Sequence, residues 1–179
     1  MNQDQTGKSL EARLRDIEDR FEIYNLIASH PPSADTGGDY YTAQVYTEDG
    51  VFDRGEGLSG AVGNTEIAAI TQTPGHQEAI ASGLAHFSGL PYIELDGDAA
   101  YVTSYLQILH PDGHYGEREL ANHGSSPGFR IHRMVANRWV LTRTPDGWKI
   151  KTRKIRPIDG SQPARDILMQ AIESYRPAE

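Results

Sequence analysis

The chain has 179 residues, with 25 acidic and 17 basic side chains, a formal net charge of -8 and no cysteine. That length suits one domain whose core needs no covalent staples, and the missing cysteine excludes disulfides, thiolate nucleophiles and thiolate metal sites. The acidic balance opposes non-specific binding to nucleic acid or anionic membrane. No window reaches the roughly 18 apolar residues of a membrane span. The first residues, from Met1 to Gly7, lack the basic start and apolar run of a signal peptide, so a cytoplasmic protein is expected.

Leu10, Leu14, Ile17, Phe21, Tyr24 and Ala28 recur at three- and four-residue spacing, which predicts an amphipathic helix lying across a sheet through that stripe. Pro31-Pro32 is expected to end it. Ser33 to Asp35 then stand where they would cap a second helix over about 39–46, delivered by Gly37-Gly38. Glu48-Asp49-Gly50 reads as a turn into a short strand, Val51 to Asp53. Short helices are expected over Thr65 to Thr71 and Gln77 to Ser82.

From Leu84 the period becomes that of a sheet. One strand is predicted to Leu95, a turn at Asp96-Gly97-Asp98, and a second strand from Ala100 to His110. Pro111 to Gly128 reads as a loop or frayed strand extension at a pocket mouth. Phe129 to Thr144 and Trp148 to Pro157 form a hairpin around Pro145-Asp146-Gly147, and a helix over about 163–175 closes the chain. The basic run from Arg143 to Arg156 alternates with Trp148, Ile150 and Ile155, the pattern of a strand whose basic face is solvated. Helices first and antiparallel strands afterwards give a single α+β domain, with helices on one face of a curved sheet.

The residues that could carry chemistry are an aspartate and several histidines. A carboxylate bonded to one imidazole nitrogen fixes the tautomer and raises basicity, leaving the other nitrogen to take and return a proton near neutral pH. Each candidate also has a structural reading. Asp35 would serve as a helix cap, His86 as an ordinary strand histidine, and Arg54 as a surface ion-pair residue. His110 and His114 flank a Pro-Asp-Gly turn that keeps them off a helix and so speaks against a zinc pair. Asn137 would satisfy a neighbouring backbone group, and Tyr46 would pack a helix. No phosphate-binding glycine loop or serine elbow appears.

His86-Phe87 with Gly89, the strand containing Tyr105-Leu106-Gln107, and Asp146-Gly147-Trp148-Lys149-Ile150 together resemble the second half of SnoaL-like domains of the NTF2-like, or cystatin-like, superfamily. The resemblance spans about residues 10 to 158 and runs in particular to lyases of the scytalone dehydratase type. It implies a cone-shaped pocket formed by N-terminal helices on a curved, mostly antiparallel sheet. By position it implies catalytic roles for Asp35 and His86, and for a second histidine drawn from His110 and His114, with His110 preferred at the strand end. Asn137, after Ala136, matches a substrate-binding asparagine, and Tyr46 and Arg54 lie near the implied pocket. Two water-holding tyrosines of that enzyme are matched here by Ala34 and Arg54, which argues against scytalone as substrate.

The implied activity is a cofactor-independent lyase, with no metal, that eliminates water or formaldehyde from a small lignin-derived diaryl or polyketide-like alcohol. An isomerase or cyclase would use the same proton shuttle. A non-catalytic small subunit of an aromatic-ring hydroxylating oxygenase would share the fold and need no Asp and His pair. The resemblance further implies a homo-oligomer, dimer or trimer, formed through the exposed sheet face, with Trp139, Val140 and the final helix contributing.

Overall fold

The computed structural model describes residues 7–176, with Tyr115 described by its backbone alone. The N-terminal residues Met1 to Thr6, which the expectation about a signal segment involves, lie outside it. No described helix is long and apolar enough to cross a membrane.

Helix α1 (Leu10–Ala28) begins at Ser9, whose hydroxyl accepts from the Ala12 backbone N–H. Its orientation departs from the periodicity. Asp19, Ile23 and Ile27 are buried, whereas the predicted stripe faces outward, with Leu10 78% and Phe21 66% exposed. The choice between faces is made by polar fastenings. Arg143 donates to both carboxylate oxygens of Asp19 at 2.7 and 2.6 Å, and Trp148 Nε1 donates to Asp19 at 3.1 Å. Glu22 accepts from the Trp148 backbone at 2.7 Å, and Arg20 donates to the Ile93 carbonyl at 2.7 Å.

Pro31-Pro32 starts a helix as well as marking the end of one. Helix α2 (His30–Thr36) carries a proline in its first turn, where the missing N–H is not required, and ends at Gly37 with φ 68° in the left-handed region. Asp35 therefore lies within α2. The cap of α3 (Asp39–Val45) is Gly38.

The principal sheet runs β2 (Ala61–Val62), β1 (Tyr46–Asp53), β9 (Gly147–Pro157), β8 (Phe129–Thr144), β5 (Ala99–Pro111), β3 (Ala85–Ser88), with β4 (Tyr92–Asp96) also on β5. Among the described residues, only the β1 to β9 pairing of this sheet is parallel. The expected turn at Glu48-Asp49-Gly50 is instead an irregularity within β1. The single strand expected from Leu84 to Leu95 is divided into β3 and β4 by a gap containing Pro91, which cannot donate to a ladder. Helices α4 (Asn64–Ala69) and α5 (Pro74–Ala81) precede them. The 111–128 segment contains a separate exposed hairpin, β6 (Arg118–Leu120) with β7 (Gly124–Ser126), and α6 (Gln162–Gln170) closes the described chain.

The sheet is unclosed, curved and mostly antiparallel, as expected. Between α1 and its concave face lies a core containing Ile23, Ile27, Val102, Trp139, Leu141, Trp148 and Ile150. On the opposite face α6 packs Ala164 and Ile167 against Ala136. Trp139, expected on an exposed association surface, is 1% exposed and belongs to the inner face.

A bulge decides what the inner face carries. Leu141 pairs with Ile150 while Val140 pairs with Thr152, leaving Lys151 as an extra residue in β9. The inward parity consequently switches from Trp148 and Ile150 to Arg153 and Ile155. Arg153 does not join the solvated basic face predicted for this strand; it is 2% exposed.

Candidate active site

At the open end of the cone, α2, α3 and α4 wall off, against the sheet, a cavity of about 900 Å³ including the open space at its mouth. Leu26, Val45, Phe52, Ile67, Leu106 and Val135 supply much of an apolar wall. Its charged and ionisable lining is one-sided. Arg54, Arg133 and Arg153 line it with His30, His76, His86, Tyr41 and Tyr46, and no aspartate or glutamate among the described residues does.

Asp35 and His86 are brought together although 51 positions separate them. Asp35 Oδ1 lies 2.5 Å from His86 Nδ1, and the same carboxylate accepts the His86 backbone N–H at 3.2 and 2.9 Å. Thus α2 is docked on β3 by the group that orients the imidazole. With Nδ1 committed to a carboxylate, the proton sits there and Nε2 is left as the exchanging nitrogen. His86 is a wall of the cavity, and Asp35 stands behind it.

The other candidates separate into two sets. Tyr46 and Arg54 line the cavity. Burial raises the Tyr46 hydroxyl above its usual 10.0, while Arg153 opposes that rise. Arg54 donates to the Ser59 carbonyl at 3.3 Å. Ala34, at one of the positions matched to a tyrosine, is also in the wall.

His110, His114 and Asn137 are not wall residues. His110 is tied to Ser82 through Nε2 at 3.1 Å and to the Pro111 carbonyl through Nδ1 at 3.0 Å. His114 is exposed on a short helical turn beyond β5. Asn137 is 0% exposed, and its Oδ1 accepts from Arg153 Nε at 3.2 Å, so it positions a wall residue from beneath.

Two histidines in the wall carry no motif in the sequence. His76, on α5, bonds the Ala34 carbonyl through Nε2 at 2.8 Å. His30, the first residue of α2, makes edge contacts with His86 and Trp139 at centroid separations of 5.7 and 5.6 Å. The one available signal was proximity in sequence, since His30 and Asp35 fall on the same short helix once Pro31-Pro32 is read as a helix start. His76 needed the tertiary fold.

His30 Nδ1 lies 3.4 Å from Arg153 Nη1. A guanidinium only donates, so Nδ1 accepts and the proton of the neutral ring belongs to Nε2, which is buried without a partner. Burial holds the His30 pKa well below the usual 6.5, with Arg153, His86 and His76 acting in the same direction. The unfolded chain therefore takes up a proton that the fold refuses. The stability linked to neutral His30 is complete above pH 6.5 and lost as pH falls below it. Urea midpoints should decline as pH falls below about 6.5, and His30→Gln should flatten that part of the decline.

Arg153 lies over the rings of Trp139 and Phe52, with its guanidinium carbon 4.2 and 4.7 Å from their centroids. Its pKa is pulled down to about 10, chiefly by burial, so it stays cationic at neutral pH.

A SnoaL-like domain model matches residues 15–154, and a search of curated proteins finds no match. Among solved structures, an NTF2-like protein with a cystatin-like fold from Novosphingobium aromaticivorans is 34% identical, with a TM-score of 0.78 over 93% of this chain and 99% of that one. A candidate aromatic ring hydroxylase from the same organism is 24% identical, with a TM-score of 0.58 over 79% and 90% of the two chains. A candidate dehydratase of the NTF2-like family from Streptomyces avermitilis is 17% identical, with a TM-score of 0.56 over 79% and 97%. The last two are likenesses of fold. With the helices, the curved sheet and the cone-shaped cavity in place, the chain belongs to the SnoaL-like domain family within the NTF2-like fold.

Proposed function

We propose that the protein is a lyase that eliminates water or formaldehyde from a small aromatic alcohol by proton transfer through Asp35 and His86. The observation that carries this reading is the 2.5 Å contact between Asp35 and His86 Nδ1 at the wall of a largely apolar cavity. In a dehydration, His86 Nε2 removes a proton from the carbon beside the alcohol carbon. The freed pair becomes the double bond, and the departing hydroxide recovers the proton as water. Apolar walls strengthen these transfers because little water competes. Arg54 supplies positive charge for a developing oxyanion.

Loss of formaldehyde uses the same site on a diaryl compound. His86 takes the proton of the phenol and passes it to the benzylic hydroxyl, which leaves as water as the phenolate becomes a quinone methide. Deprotonation of the neighbouring carbinol then breaks its carbon–carbon bond. That bond's electrons restore the aromatic ring as formaldehyde leaves. The wall holds no tyrosine at position 34 or 54 to retain a water, which keeps this second elimination open.

The test is turnover by purified protein, without added metal or cofactor, of hydroxylated diaryl, polyketide-like and steroid-like compounds, read by product mass. Loss of water or formaldehyde supports the lyase. Products of unchanged mass would make it an isomerase, and stable co-purification with a larger iron-containing chain without turnover would make it a supporting subunit.

A further inference from the structure

Arg153 presents an imbalance that the elimination chemistry leaves unexplained. It is 2% exposed, and no carboxylate among the described residues pairs with it. A buried cation is normally paired, because removing it from water is costly. Asn137, the Tyr46 hydroxyl, His30 Nδ1 and two aromatic faces offset part of that cost, but none of them carries a negative charge at neutral pH. The surroundings deepen the deficit. Arg54 and Arg133 line the same cavity and also lack a carboxylate partner among the described residues.

Among the described residues, the two unpaired polar atoms that belong to wall residues agree in sign. His30 Nε2 and Trp139 Nε1 are buried without partners, and both side chains line the cavity. Each is a donor, given the His30 tautomer set by Arg153. A chain with a net charge of -8 thus surrounds a pocket that offers cations and N–H donors and, among the described residues, no carboxylate.

We infer that Arg153, with His30 and Trp139, forms a binding subsite for the carboxylate of an aromatic acid. This deepens the lyase reading by naming a group that its substrate carries. A carboxylate fits better than a phenol for two reasons. The planar guanidinium matches it in geometry, and it arrives ionised at neutral pH, whereas a phenol, with a pKa of about 10, arrives neutral and leaves the cation uncompensated. His30 touches both Arg153 and His86, so the anion would sit one imidazole away from the proton-transferring group.

The probes are 2-naphthoate, 2-naphthamide and 2-naphthol, titrated calorimetrically into the full chain at neutral pH. Naphthoate should bind about tenfold or more tighter than the isosteric amide and the phenol. Arg153→Gln should abolish the preference. Arg133→Met, at a half-buried wall position where folding is less at stake, should reduce it several-fold. Equal affinity for naphthoate and naphthamide in the wild-type protein would overturn the inference without requiring any variant to fold, and naphthol binding as tightly as naphthoate would overturn the assignment to a carboxylate. The two proposals fail separately. A naphthoate preference without turnover of any alcohol removes the lyase alone, whereas dyad-dependent turnover of neutral alcohols without an anion preference removes the carboxylate subsite alone.

Discussion

His86→Ala is expected to lower kcat by about 10²–10⁴, the usual contribution of a positioned general base. Asp35→Asn should fall in the same range while leaving the protein folded. Asn keeps an oxygen that can accept the His86 backbone N–H, replacing the carboxylate contacts of 3.2 and 2.9 Å. It loses the charge that makes the 2.5 Å partner of Nδ1 an effective orienting group. The imidazole can then present the wrong tautomer, so the loss should appear in kcat more than in KM. Asp35→Ala would also undock α2 from β3 and confuse the two effects. The measurement is steady-state kinetics beside thermal melts: an Asp35→Asn protein that melts normally and turns over at the wild-type rate would make Asp35 a docking residue only.

Asp19→Ala should destabilise the fold by about 3 kcal/mol, because it leaves the Trp148 indole N–H without an acceptor and Arg143 with only the exposed Asp98 carboxylate. For a chain of this size, that is a fall in Tm of about 6–12 °C. The value is taken at the lower end for buried pairs because the Arg143 side chain is 32% exposed. The same contact carries a pH signature. Arg143 holds the Asp19 carboxyl below the usual 3.8, aided by Trp148 and opposed by burial. Its contribution is therefore present above pH 3.8 and lost as pH falls through the lowered value. Asp19→Asn should remove that acid limb from a denaturation series. An unchanged limb would mean that other carboxylates govern acid unfolding.

Asp19 also shows why the periodic stripe of α1 indicated the wrong face. Spacing identifies which side chains share a face, but not which face meets the sheet. The buried face here contains a carboxylate among Ile23 and Ile27, and its partners Arg143 and Trp148 lie more than 120 residues away. An apolar count cannot register a polar residue that is buried because it is paired.

Much of the remaining architecture was legible locally. The helix-then-strand order, the Asp96-Gly97-Asp98 reversal and the hairpin of β8 with β9 follow from periodicity and turn chemistry, because their determinants are neighbours in the chain. Asp35 and His86 were found through family spacing, and the fold brings them into contact.

The sequence by itself determined the α+β class, the order of elements and the residue types available for acid-base chemistry, since these depend on short-range patterns. The tertiary structure decided what faces the cavity. One extra residue at Lys151 reverses the parity of β9 and buries Arg153. Pro31-Pro32 begins a helix, so that His30 shares the wall with His86, while a bond to Ser82 holds His110 away from it. Such outcomes depend on register and on distant partners, and a two-residue period carries no information about either until the strands are paired.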